Sequence, residues 1–136
     1  MAGKKIKGRK RHIAVDSMGN LLYVDVHAAN IHDTKSGFYA ALGAYTIYPA
    51  IMCFCGDAGY CGTFVEDVED SLGLPVDIIK RNQSESWKVL PKRWVVERTF
   101  GWMNNSRRLS KDYEITKTSA EAMVVISHVH TLLKRL

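Results

Sequence analysis

No apolar run among the 136 residues approaches the roughly 20 that a membrane-spanning helix needs. The basic start of the chain is followed by no apolar h-region, so no secretory signal is read there. Three cysteines cannot pair completely, which points to a reducing cytoplasm rather than a disulfide scaffold. A zinc finger would need a C-x2-C pair with a second pair at finger-like distance, and neither is present. Glycine-rich phosphate loops of the P-loop or dinucleotide type are also missing. There is no internal repeat, low-complexity segment or domain linker. What remains is a chain sized for one domain, residues 1–136, with 46% hydrophobic residues, enough for a packed core.

Charge is present but unevenly placed. The net charge of +5 hides three blocks. Residues 1–12 carry six basic side chains and no acid, Lys10 and Arg11 among them. Residues 57–79 carry six acids and no base. Residues 80–111 carry nine basic side chains against Glu85 and Glu97. A basic arm and a basic C-terminal half suit a polyphosphate partner, because each neutralised phosphate releases counterions. A soluble protein with a lopsided surface would have the same composition.

The apolar pattern predicts an α/β fold. His12–Val15 and Leu21–Val26 read as a β-hairpin closed by Asp16-Ser17-Met18-Gly19-Asn20. Residues 33–45 read as a helix with Phe38, Leu42 and Tyr45 on its apolar face and Asp33 or Thr34 as N-cap. Ile51–Cys55 is a short apolar run, the pattern of a strand buried on both faces. Gly62–Leu72 reads as an acidic helix stopped by Gly73. Val76–Ile79 is a second short strand. Pro91–Arg108 and Thr118–Arg135 read as helices, the latter with Thr118 and Glu121 spaced as a capping box. Gln83–Lys88 is the most loop-like stretch. Short strands alternating with helices predict a layered fold with at least one parallel pair.

Two carboxylates stand out. Asp57 follows the strand at 51–55 and lies among glycines, where open α/β sheets place their sites. It reads either as a ligand-bearing residue or as a turn Asp capping the next helix. Glu97 follows three large apolar residues and is expected to be only partly exposed. It shares a helix face with Arg93, Gly101, Asn104 and Arg108. It reads either as a metal ligand beside phosphate-binding bases or as a salt-bridge partner of Arg93 or Arg98. Val96, Phe100 and Met103, with Val95 and Trp102, line another face. Cys53 and Cys55 read as small core residues. The histidines at 27, 32, 128 and 130 do not converge on a zinc site.

Four blocks occur in order: Lys7-Gly8-Arg9-Lys10-Arg11-His12 running into Ile13-Ala14-Val15-Asp16; Gly56-Asp57-Ala58-Gly59-Tyr60; Pro91-Lys92-Arg93-Trp94-Val95-Val96-Glu97-Arg98-Thr99-Phe100-Gly101-Trp102; and Arg107-Arg108-Leu109-Ser110-Lys111-Asp112-Tyr113-Glu114. Together they resemble the C-terminal part of a bacterial DDE transposase of the small insertion sequences, over residues 3–136. The resemblance implies a ribonuclease-H-like mixed sheet flanked by helices. It implies two Asp and one Glu holding two divalent ions, Mg²⁺ or Mn²⁺. It makes Asp57 the second Asp and Glu97 the Glu. Arg93 matches the arginine of a Tyr-Arg-Glu-Lys signature, whose Tyr and Lys positions are Leu90 and Asn104 here. Their DNA contacts would then fall to Arg98, Arg107 or Arg108, with Lys10 and Arg11 on the basic arm.

The family's first Asp lies on a strand preceding the Lys-Gly-Arg-Lys-Arg-His block, and no Asp precedes that block among these residues. The resemblance therefore implies a sheet lacking its first strand and a chain inactive by itself. Frameshifted expression with an upstream half, or a decayed remnant, would account for this. Expected partners are DNA, as insertion-sequence ends and target, with the upstream half or further copies of the chain. No membrane is expected, and the compartment is the bacterial cytoplasm. A non-catalytic DNA-binding or regulatory module pairing through the 118–135 helix is the alternative. A metal-dependent ribonuclease fits less well, since its helix carries other blocks.

Overall fold

The computed structural model describes residues 8–79, 93–109 and 113–136, with side chains in the helix from 93 described from Val95 onward. The expected loop at 83–88, Leu90, Pro91 and the first basic residues of the arm lie outside the described residues. So do the side chains of Arg93 and Trp94.

Strands β1 (Arg9–Val15) and β2 (Leu21–Ala28) form the expected antiparallel hairpin. Its turn is held by one carboxylate: Asp16 Oδ1 accepts from the N–H of Met18 and of Asn20, both at 2.9 Å. Gly19 takes the positive φ of 87° that this closure requires. Helix α1 (Asp33–Ile47) follows, capped not by Asp33 or Thr34 but by His32, whose Nδ1 accepts from Thr34 N. Asp33 instead pairs with Lys10 at 3.0 Å.

Strand β3 spans Phe54–Asp57, later than the apolar run, and lies parallel to β4 (Val76–Ile79). Between them runs α2 (Thr63–Leu72), ended by Gly73 at φ 66° as its C-terminal glycine predicts. The expectation that β3 is buried on both faces fails. Its residues alternate partly buried and exposed, and Cys53, Cys55 and Cys61 are all exposed thiols. The core residues here are Phe54, Phe64, Val68 and Val76, packed with Ala41 of α1.

Helix α3 (Arg93–Asn104) gives way to a short 3₁₀ turn, Arg107–Leu109, rather than continuing to 108. Helix α4 (Lys117–Leu133) begins one residue earlier than expected, with Thr116 as N-cap accepting from Ser119 N at 3.1 Å. Glu121 does not complete a capping box. Its Oε1 accepts from Val26 N at 3.1 Å, across 95 residues of chain.

The hairpin is covered on both faces. Ile13, Val24 and Val26 pack with Phe100, Met103, Leu109, Ala120 and Val124 of the C-terminal helices. The other face meets α1. Hence Val24, Asp25, Val26 and His27 are all buried although they alternate apolar and polar. Asp25 is neutralised by Lys117 at 2.8 Å. On α1 the buried face is made of Ser36, Gly37, Ala40, Ala41 and Ala44. Leu42 is exposed, which corrects the face drawn through Phe38, Leu42 and Tyr45. Small residues face inward because two rings occupy the space. A Cβ on Gly37 would lie 2.6 Å from the Tyr60 ring, and one on Gly43 2.3 Å from that of Tyr23.

Among the described residues the architecture is mixed α/β with four α-helices. The strands form two separate two-stranded sheets, β1-β2 and β3-β4. On β2, the Leu21 and Val26 amides are taken by side chains of α4, His128 and Glu121. Among the described residues β1 has β2 as its single strand neighbour, and β3 has β4.

Candidate active site

Asp57 is the last residue of β3 and is exposed. Its Oδ1 accepts from Gly59 N at 2.9 Å, capping the 3₁₀ turn Ala58–Tyr60. The two sequence readings of this residue are therefore compatible: one carboxylate oxygen shapes the turn, and the carboxylate as a whole faces outward at a strand's carboxyl end.

Tyr60 explains the rest of the Gly-Asp-x-Gly-Tyr block. Its ring touches Gly56 and Gly37, stands edge-on to Phe64 at 5.2 Å and edge-on to His12 at 5.9 Å. It thus ties β3 to α1, α2 and β1. Burial, with the neighbouring Asp57 and Asp33 charges, pushes its phenol up to about 12. It stays protonated across the working pH range.

Glu97 is exposed, more so than its apolar neighbours suggest. Gly101, Asn104 and Arg108 are exposed with it, so the outward face read from the spacing is present from Glu97 onward. The inward face is centred on Val95, Thr99 and Met103, all buried. Thr99 was not singled out by pattern, yet its Oγ1 donates to Gly19 O at 2.7 Å and also lies 3.1 Å from Val95 O. This bond docks α3 on the hairpin turn and so positions Glu97.

The basic residues divide by role. Arg11 Nη1 donates to Leu109 O at 3.1 Å, and Arg98 donates to Met18 O while lying over the Trp102 ring at 4.8 Å. Both hold the C-terminal helices to the hairpin. Lys10 is exposed beside Asp33. Arg107 and Arg108 are exposed, and Arg108 pairs with Glu114 at 2.8 Å.

A pair of imidazoles also escaped the sequence reading. His12 Nδ1 and His27 Nε2 are 2.7 Å apart. His27 Nδ1 lies 3.0 Å from Ala28 O, which only accepts, so His27 Nε2 is the acceptor and His12 the donor. Burial, then the neighbouring His27, holds His12 below its ordinary value.

The oxygen donors of Asp57 and Glu97 suit hard divalent ions. Among the described residues, however, no three His, Cys, Asp or Glu side chains gather as a set able to hold a metal. The two carboxylates sit on different elements, one ending β3 and one on α3, with the hairpin contacted by both. The donor type fits a two-metal site and the donor number does not. No described helix is long and apolar enough to cross a membrane.

Comparison with curated proteins and with solved structures returned no match. The family model described as "Transposase DDE domain" matches residues 2–132. The blocks that form the Asp57 turn and the Glu97 helix both fall inside that match. The chain belongs to the transposase DDE domain family, whose members act on DNA with divalent metal ions.

Proposed function

We propose that this chain is the downstream part of the catalytic domain of a bacterial insertion-sequence transposase, with Asp57 and Glu97 as two of its three metal-binding carboxylates. The observation that carries the reading is the split sheet. β1 and β3 each have one strand neighbour among the described residues, while the β2 amides at Leu21 and Val26 are capped by α4. A strand bonded to both β1 and β3 would join the two sheets and bring a third carboxylate between Asp57 and Glu97. No described residue supplies such a strand.

When bound, two divalent ions activate an attacking oxygen and stabilise a leaving one in phosphoryl transfer. Two carboxylates are too few to hold them, so no reaction step is assigned to this chain by itself. Its own residues position the site. Tyr60 wedges the Asp57 turn against the hairpin, and Thr99 fixes the Glu97 helix to the turn at Gly19. Mg²⁺ or Mn²⁺ is the metal, the DNA is the element's ends and target, and the exposed thiols fit a reducing bacterial cytoplasm.

A plasmid-nicking assay in Mg²⁺ and in Mn²⁺ tests this. The chain alone leaves supercoiled DNA intact. Joined to an Asp-bearing upstream strand it nicks, and Asp57→Asn or Glu97→Gln abolishes the nicking. Robust cutting by the chain alone would sink the reading.

A second reading is a regulatory module that pairs through α4. It draws on Val125, Val129 and Leu133, a stripe at helical spacing that is 46%, 48% and 60% exposed. A monomer at all concentrations in analytical ultracentrifugation counts against it.

A further inference from the structure

Two imidazoles face each other across the hairpin. His12 on β1 is half-buried and His27 on β2 is buried. Their ring centroids lie 4.8 Å apart, and His12 Nδ1 stands 2.7 Å from His27 Nε2. His27 Nδ1 donates to Ala28 O, so three of the four ring nitrogens are committed. His12 Nε2 keeps the spare lone pair. A first added proton goes there, and His12 Nδ1–H still points at an acceptor. A second must go to His27 Nε2, where a donor would then face a donor at 2.7 Å. The closed pair therefore takes one added proton and refuses two.

The surrounding charges do not offset a second cation. Lys10 of β1 pairs with Asp33 of α1 at 3.0 Å, and Asp25 of β2 pairs with Lys117 of α4 at 2.8 Å. Both neighbouring carboxylates are thus matched by lysines, and Lys117 also reaches Glu121 at 3.7 Å. His32, which caps α1, bonds Thr34, and Arg98 of α3 donates to Met18 O at the hairpin turn. Beyond β3, Tyr60 is an uncharged phenol, with Asp57 three residues before it. Burial, then the neighbouring His27, already holds His12 below its ordinary value.

The pair bears on the turn that Asp57 caps. The His12 ring meets Tyr60 at 5.9 Å and near a right angle, across two sheets that share no hydrogen-bonded strands. Tyr60 is lodged against Gly37, Gly56 and Phe64, so displacing its ring disturbs the turn. We propose that His12 and His27 form a positioning latch for the Asp57 turn, closed while the pair carries at most one added proton and opened by the second. The value of that position rests on the reading of Asp57 as a site carboxylate; the latch itself does not. An open pair holds one proton more than a closed one. Opening therefore grows about tenfold per pH unit on the acid side of the ordinary histidine value. Acid would disarm the site before it unfolds the chain.

The test follows the ring signals of His12, His27 and Tyr60 by NMR as the unaltered chain is acidified. Two separate proton uptakes are expected, His12 first, with the Tyr60 signals moving only in the second. His27→Gln keeps an acceptor for His12 Nδ1–H and cannot take a proton, so Tyr60 should stay in place while His12 still titrates. Should that variant fail to fold, His12→Asn decides. It keeps a donor but loses the ring, and its Tyr60 signals at neutral pH should match those of the acidified unaltered chain. Uptake of both protons in one step overturns the proposal. So do Tyr60 signals that move with the first proton, that still move in His27→Gln, or that keep their closed positions in His12→Asn. Nicking by the chain joined to an Asp-bearing upstream strand should persist to lower pH with His27→Gln. If the latch titrates as stated and the joined chain never nicks, the transposase reading fails and the latch stands. If nicking is undiminished where Tyr60 has moved, the latch fails and that reading stands.

Discussion

The His12 ring on β1 meets the edge of the Tyr60 ring just past β3, with centroids 5.9 Å apart. The contact links two sheets that share no hydrogen-bonded strands. Tyr60 fills the place that a glycine on α1 leaves for it.

Gly37→Ala tests that fit. The new methyl would lie 2.6 Å from the Tyr60 ring, and the ring is enclosed by Phe64 and Gly56 as well. Overpacking of this kind costs about 1–3 kcal/mol. Urea unfolding should show the loss, and pairing Gly37→Ala with Tyr60→Leu should recover part of it. An unaltered midpoint in the single variant would contradict the close approach.

Thr99→Val keeps shape and removes the donor to Gly19 O. A lost buried hydrogen bond of this type costs about 1 kcal/mol. The same variant releases α3 from the hairpin turn, so exchange of amides in the Glu97 helix should rise more than in α2. Equal changes in the two helices would remove Thr99 from its positioning role.

Stability should fall as pH drops below neutrality. Burial holds both His12 and His128 below the ordinary 6.5. Above 6.5 both states are neutral and nothing is lost. Below it the unfolded chain binds the protons first, so stability declines until the lowered folded-state values are passed. His128 Nε2 also accepts from Leu21 N at 3.0 Å, a bond that a protonated ring cannot accept. Asp16 and Asp33, both held below 3.8, act only in a more acid window. His128→Gln, which retains an acceptor, should flatten the slope between neutrality and the carboxylate range. A slope as steep as before would refute the assignment.

All three thiols should react with a disulfide reagent in the native state, without denaturant, since Cys53, Cys55 and Cys61 are exposed. Failure of Cys53 and Cys55 to react would restore the buried-strand interpretation of residues 51–55.

Much of the fold was legible where local chemistry decides it. The Asp16–Asn20 turn, the Gly73 stop and the strand at 76–79 follow from residues that act on their own neighbourhood. The errors arose where a distant partner decides. Leu42 is larger than Ala41, yet Ala41 is inside because a ring from another element occupies the space that a bulky side chain would need. Val24 to His27 alternate like a half-exposed strand, yet both faces are covered, one by the C-terminal helices and the other by α1, and Lys117 neutralises the buried Asp25 from 92 positions away. Asp57 and Glu97 stand out in the sequence through the blocks that carry the resemblance. Thr99 and the His12–His27 pair do not, since each takes its meaning from a contact across the chain.

The outer side of β1, which no described strand covers, has a consequence for timing. On the proposed function, a cutting centre shared by two unjoined sheets would be silent until something spans them, so hazardous chemistry would wait on an assembly step. The amides facing outward from β1 would act as its clock, exchanging quickly beforehand and slowly once a strand lies against them. A lag in cleavage that matches their protection would mark sheet closure, and not DNA capture, as the event that arms the enzyme.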